Sequence, residues 1–295
     1  MAAPSKIGPS LINHSERCRA DRRSTLHHLL SRSIALIVIF LTGITLLGAC
    51  GGSKRASSET PEIAYQKGVA FFEKGSYDRA VEQLQRVFEF GRVNEWADDA
   101  QYTLARAYYE SKQYLLAATE FDRFIGLYPR DERVEDAAYY RAMSHYRQSP
   151  PFNLDQTDSE RAVEYLRLFL STYPNSERAQ DIGRKIDELQ EKLAQKLLAK
   201  AELYERGEMY EAAAITYQRV LEKYPSTDVV DESLVGAMRS WVAFADASIP
   251  SRKRERLENA VTAYNRLVQL FPGSPLLKDA ELIFDSIQER METLG

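Results

Sequence analysis

The stretch Ala117–Pro129, AATEFDRFIGLYP, decides the fold because it recurs along the chain. Ala162–Pro174 reads AVEYLRLFLSTYP, Ala213–Pro225 reads AAITYQRVLEKYP, and Ala260–Pro272 reads AVTAYNRLVQLFP. A further relative, Ala80–Phe90 (AVEQLQRVFEF), matches up to the place where the proline would stand. In each copy a small residue opens the run. A large apolar residue follows four positions later (Leu84, Phe121, Leu166, Tyr217, Tyr264), and another three after that (Val87, Phe124, Phe169, Val220, Leu267). That spacing places all three on one helical face, with the alanine where another helix must come close. The aromatic–proline ending stops the helix, because the residue before proline is pushed out of the α region.

A second amphipathic run lies upstream of each copy. The period therefore predicts an all-α solenoid of about five helix pairs. The pair resembles the tetratricopeptide repeat, whose pattern wants a small residue at position eight, a large one at eleven, alanine at twenty and proline at thirty-two. Ala105, Tyr108, Ala117, Phe121 and Pro129 fit throughout. Gly68, Phe71, Ala80 and Leu84 fit, with Arg92 where proline is expected. Ala201, Tyr204, Ala213, Tyr217 and Pro225 make the fourth copy. The third needs about seven extra residues around Ser149–Thr157, and the fifth has a clear second helix but an uncertain first one.

Outside the repeats the N-terminus has a different character. Residues 1–33 carry Arg17, Arg19, Arg22, Arg23 and Arg32, and Ile34–Gly48 (IALIVIFLTGITLLG) is almost wholly apolar. A spanning helix needs ~20 apolar residues. This shorter run behind a cationic flank reads instead as the core of a secretory signal. Its ending, Leu47-Gly48-Ala49-Cys50, resembles the bacterial lipobox. That resemblance implies cleavage before Cys50, which then carries acyl chains such as palmitate. Several chains hold a protein at a membrane far more firmly than one. Residues 1–49 are thus expected to be a cleaved signal and 50–60, rich in Gly and Ser, an unstructured tether. Repeats one to three are expected over 61–175. A long linking helix, repeats four and five and a capping helix are expected over 176–295.

Removing residues 1–49, with six basic and two acidic residues, from totals of 39 and 43 leaves 33 and 41, a net charge of −8. That balance argues against nucleic acid as the main partner. Cys18, His14, His27 and His28 leave with the signal, so Cys50 and His145 are the only residues of their types that stay. Neither a metal site nor a Cys/His nucleophile pair can be assembled from those two, and no cofactor is expected. His145, between Ser144 and Tyr146 on an apolar-rich helix, reads as a packed structural histidine.

Further along, Ser149–Thr157 (SPPFNLDQT) reads as a loop inserted in the third repeat. Ser176–Arg206 is unbroken by proline, with Ile182, Ile186, Leu189, Leu193 and Leu197 at helical spacing, and reads as a helix joining two halves of the solenoid. Pro275–Leu294 reads as a final amphipathic helix capping the open end.

Lipobox, five degenerate repeats, a proline-rich loop ending in Asp155-Gln156, Tyr173-Pro174-Asn175-Ser176, the long helix and then Glu205-Arg206-Gly207 follow in that order. The succession resembles the BamD family (also called ComL or YfiO) of outer-membrane assembly lipoproteins, from about Pro61 to about Ala280. Two departures are the missing first proline and an insert at Asp246–Glu255. The resemblance implies a non-enzymatic protein lipid-anchored at the periplasmic face of the outer membrane. Its implied partners are a BamA-type barrel subunit, met through that subunit's periplasmic domains, other lipoproteins of the complex, and unfolded outer-membrane proteins. A different periplasmic tetratricopeptide lipoprotein, serving cell-wall or secretion complexes, is the alternative. An enzyme borne on a solenoid would need a compact catalytic domain, for which the repeats leave no stretch of ~100 residues.

In tetratricopeptide folds the first helix of each pair lines the concave face, chiefly through positions two, five, nine and twelve. Carried over, these give Tyr65, Tyr102 and Tyr140 at position five, Arg106 at position nine, and Phe72 and Tyr109 at position twelve. The fourth repeat offers Glu202 and Glu205 instead. The first three repeats thus present a tyrosine ladder suited to an extended peptide bearing aromatic side chains. Interhelix packing is the other reading of the same rings.

Overall fold

The computed structural model describes residues 60–294. These form five antiparallel helix pairs and one closing helix. Pro61–Glu73 (α1) pairs with Tyr77–Val87 (α2), Ala97–Glu110 (α3) with Tyr114–Leu127 (α4), and Val134–Gln148 (α5) with Thr157–Thr172 (α6). Ala179–Arg206 (α7) pairs with Tyr210–Lys223 (α8), Val230–Asp246 (α9) with Pro250–Leu270 (α10), and Leu277–Thr293 (α11) ends the solenoid. Pro61 takes the first helical position, and the Thr60 hydroxyl accepts the Ile63 N–H at 3.2 Å, satisfying one of the orphan donors there.

The recurring motif does what its spacing demands. Ala80, Ala117, Ala162, Ala213 and Ala260 are completely buried, as are Leu84, Phe121 and Leu166. Tyr264, the fifth of that series, is only half-buried and stacks on Phe284 of α11 at 4.4 Å. After four of the five second helices the chain turns on one device. Asn94, Asp131, Ser176 and Ser274 each accept, through the side chain, the backbone N–H two residues ahead. The first pair lacks its proline. There a 3-10 turn, Phe88–Phe90, runs into Gly91, whose φ of 97° ends the helix in its place.

Three cores follow one another. The first joins α1 to α5 around Phe121, Phe124 and Leu104. The second holds Phe169, Leu166 and Met143 together with Ile182, Ile186, Leu189 and Leu193 of α7. The third begins further along the same helix, with Ala194, Leu198 and Ala201, and runs to Ile287. At 28 residues α7 spans about 42 Å at 1.5 Å per residue. It enters one core with its first half and another with its second.

The fifth pair answers the ambiguity of the sequence. Its first helix is α9, and most of the insert Asp246–Glu255 becomes extra N-terminal turns of α10, opened by Pro250. First helices also touch the first helix of the next pair: α1 meets α3, α3 meets α5, α7 meets α9, and α9 meets α11. That puts them on the inner, tighter side of the curve.

Candidate inner-face ladder

On the inner side of the N-terminal half, α3 and α5 bring Tyr102, Arg106, Tyr109 and Tyr140 into one connected group. Tyr102 lies edge-on to Phe124 at 5.4 Å and to Phe121 at 6.2 Å. Tyr140 stacks on Phe121 at 5.6 Å and meets Tyr109 edge-on at 4.9 Å. The Arg106 guanidinium covers the Tyr140 ring at 4.3 Å and donates to Glu110 at 3.2 Å. Tyr65 and Phe72, on α1, face the same core but stand apart from this group. Tyr65 stacks on Trp96 at 5.3 Å and Phe72 meets Tyr77 at 5.6 Å. Tyr65, Phe72, Tyr102, Tyr109 and Tyr140 are all half-buried, so one side of each packs against the core.

Two arginines that the position scheme passes over complete the ladder. Arg133, capping α5, lies over Tyr102 at 5.2 Å and over Phe124 at 5.4 Å. It also pairs with Asp131 at 2.7 Å and Asp99 at 2.5 Å. Arg178, capping α7, lies over Tyr139 at 4.4 Å. The Asp136 carboxylate accepts from both the Tyr102 hydroxyl and Arg178, tying repeat two to the start of the long helix. Guanidinium and ring therefore alternate: Arg133 on Tyr102, Arg106 on Tyr140, Arg178 on Tyr139. Each such contact is worth about 0.5–2 kcal/mol, depending on how dry it is.

The electrostatics fit a fixed, neutral-ring ladder. Burial, reinforced by the Asp136 carboxylate, pushes the Tyr102 phenol up to about 12. Hydrogen bonding to Asp131 raises Arg133 further above its already high value, against the effect of burial. For Arg106 burial acts to lower the pKa, but the contacts with Tyr102, Tyr140 and Glu110 outweigh it. Arg133 and Arg106 therefore stay charged beside Tyr102 and Tyr140, whose phenols burial holds protonated. The ladder's sequence signal was present: Pro129-Arg-Asp-Glu-Arg133 and Pro174-Asn-Ser-Glu-Arg178 repeat one pattern.

The fourth repeat is organised differently. Glu205 accepts from the Tyr217 hydroxyl at 2.6 Å and from Arg239 at 3.2 Å, so its carboxylate belongs to a structural triad. Among the described residues no cluster of His, Cys, Asp and Glu could hold a metal ion. Nor does any described helix have the length and apolarity to cross a membrane. Cys50 lies outside the described residues.

His145 is buried on α5 and stacks on Tyr165 at 4.1 Å. Burial first, then the nearby Arg161 and Arg141, push its pKa down to about 4, with Asp158 and Asp122 opposing. Between its unfolded value near 6.5 and about 4, the unfolded chain binds a proton that the folded chain refuses. Stability is thus intact above ~6.5 and is lost as pH falls toward 4, by on the order of 2 kcal/mol. Urea unfolding at pH 7 and pH 4.5 is expected to show a steeper acid loss for the parent than for His145→Phe. Equal losses would mean that His145 does not titrate this way.

The five helix pairs and their closing helix define an all-helical solenoid of the tetratricopeptide kind. The chain belongs to the YfiO family, described as outer membrane lipoprotein, whose model matches residues 57–246. It is 28% identical over 253 residues to a Caulobacter vibrioides protein named outer membrane protein assembly factor BamD, covering 84% of this chain and 80% of that one. Proteins of the same name from Vibrio cholerae and Rickettsia prowazekii are 26% and 27% identical. They cover 79% and 70% of this chain, and 96% and 82% of their own lengths.

Proposed function

We propose that this chain is a non-enzymatic subunit of an outer-membrane β-barrel assembly machine. It scaffolds a BamA-type barrel subunit through that subunit's periplasmic domains, beside other lipoproteins of the complex, and helps receive unfolded outer-membrane proteins. Membership of the YfiO family and the assembly-factor relatives support the general role. For substrate reception the supporting observation is the connected ladder of Tyr102, Arg106, Tyr109 and Tyr140 on the inner face. An unfolded barrel strand offers alternating aromatic side chains and unpaired backbone. Half-buried rings with fixed guanidinium groups between them can meet the former at low entropy cost.

The test is a titration of a labelled peptide, taken from the C-terminal strand of an outer-membrane barrel, against the parent and Tyr102→Ala/Tyr109→Ala. The double variant is expected to bind about tenfold or more weakly, at a temperature where circular dichroism shows both folded. Unchanged binding would reduce the ladder to packing.

Anchoring is proposed at Cys50, on the periplasmic face of the outer membrane, on the strength of Leu47-Gly48-Ala49-Cys50 behind an apolar core. Mass spectrometry of the N-terminal peptide from membranes is expected to find an acylated Cys50. An unmodified peptide running through Ala49-Cys50 would overturn this.

A further inference from the structure

Arg147 stands seven residues after Tyr140 on α5, in the place that Phe72 and Tyr109 hold in the first two pairs. Seven residues fall within about 20° of two full helical turns, so Arg147 shares the inner stripe with Tyr140. It is exposed. Besides a partial loss of water, the groups that act on its guanidinium most strongly are the phenols of Tyr109, Tyr114 and Tyr146. The contact with the Tyr109 hydroxyl comes first and raises its pKa above the usual value, with desolvation opposing. Tyr109 in turn meets Tyr114 edge-on at 5.5 Å and Tyr140 at 4.9 Å. Arg147 therefore adjoins the connected rings of the ladder at the edge where α5 ends.

Its charge is not cancelled, which sets it apart from the other arginines of this face. Arg106 is held by Glu110 at 3.2 Å, Arg133 by Asp131 at 2.7 Å, and Arg178 by Asp136. Arg147 forms no ion pair with any described carboxylate. Of the acids beside its phenols, Glu110 is taken by Arg106, and Glu188 by the Tyr146 hydroxyl and by Lys185 at 3.2 Å. A guanidinium flanked by phenol hydroxyls is a set of donors, and its complement is an acceptor-only group, a carboxylate. The other edge of the inner face would repel that group. There, where α5 and α7 begin, Glu132, Glu135 and Glu177 line one hollow. Position favours a chain end over an acidic side chain. The helix stops at Gln148, and Ser149-Pro150-Pro151 leads away from it. A peptide whose last residue reaches Arg147 has no further backbone to carry over that edge.

We propose that Arg147 seats the C-terminal carboxylate of a peptide whose aromatic side chains lie on the ladder. The inference rests on the substrate-receiving reading of that ladder, and adds which end of the ligand is recognised and how it lies. The guanidinium fork takes both carboxylate oxygens, a geometry that a point charge does not match. The last side chains meet the rings of Tyr109 and Tyr140, and the preceding residues run back toward Tyr102.

The test uses the labelled barrel-strand peptide in three forms: the free acid, the C-terminal amide, and an amide with glutamate before its last residue. Amidation is expected to weaken binding to the parent about tenfold. Arg147→Gln is expected to weaken the free acid to the same extent and to leave the amide unchanged, so that the two losses do not add. Arg147→Lys keeps the charge without the fork and is expected to fall between. Because Arg147 is exposed and outside every ion pair, both variants are expected to melt with the parent. The glutamate-bearing amide is expected to bind like the plain amide. Amidation without effect on the parent, or equal weakening of acid and amide by Arg147→Gln, overturns the proposal. So does recovery of the free acid's affinity by the glutamate peptide, which would assign Arg147 to acidic side chains. If amidation has no effect while Tyr102→Ala/Tyr109→Ala still weakens both forms, the carboxylate seat falls and the ladder stands. If that double variant binds both forms as the parent does, or neither form binds the parent, the ladder falls and the seat with it.

Discussion

Ala117→Asp and Ala213→Asp are each expected to lose about 3–5 kcal/mol of folding stability, while Leu115→Asp loses almost nothing. Ala117 and Ala213 are completely buried, the first in the core joining α1 to α5 and the second in the C-terminal core. Their faces carry Phe121 and Phe124 in one case and Tyr217 and Val220 in the other, all nearly or fully buried. An aspartate at either place must displace close-packed neighbours and leave a charge without a partner, or accept a proton and remain an unsatisfied acid. Leu115 lies two residues from Ala117 but is 61% exposed. The same charge there meets water. Urea titrations of the three variants separate the two situations. If Ala117→Asp unfolds near the parent's midpoint, the helix faces are assigned wrongly.

Those two alanines also mark how far the sequence carries. Position in the repeat dictated burial, and Ala80, Ala117, Ala162, Ala213 and Ala260 all obey it. The turns were legible in the same way, since the residue before proline is pushed out of the α region. Arg133 and Arg178 were harder. They sit at helix caps, outside the four positions that usually face inward, and their roles depend on rings contributed by neighbouring helices. The spacing of the repeats says where α5 begins, but not that its capping side chain folds back over Tyr102. Likewise Ser149–Thr157 was readable as a loop from its prolines. That Gln156 and two lysines of α7 pin it could be known only once α7 lay beside it. Long-range partners of polar side chains leave no periodic trace.

Gly236 is the other residue whose weight is invisible in the sequence, and Gly236→Val is expected to cost about 3 kcal/mol. It lies in the middle of α9, where a glycine costs about 1 kcal/mol relative to alanine and needs a reason. The reason is Tyr217 of α8. A Cβ at position 236 would stand 2.6 Å from two atoms of that ring and 2.9 Å from a third. The ring has nowhere to go: Tyr217 is 1% exposed, and its hydroxyl is tied to Glu205 at 2.6 Å. Moving it breaks that bond and loosens Arg239, which shares the carboxylate. At Gly68 the corresponding contact is the aliphatic end of Leu84, at 2.6 Å and 2.7 Å, and a flexible side chain can turn aside. Gly68→Ala is therefore expected to cost clearly less than Gly236→Val. The decisive comparison is a double-mutant cycle with Tyr217→Leu, which removes the rigid ring and its hydroxyl together. In that background Gly236→Val should lose less than half its penalty, because the neighbour can now yield. Should the penalty be the same in both backgrounds, the cost of valine comes from α9 itself and not from the crossing with α8.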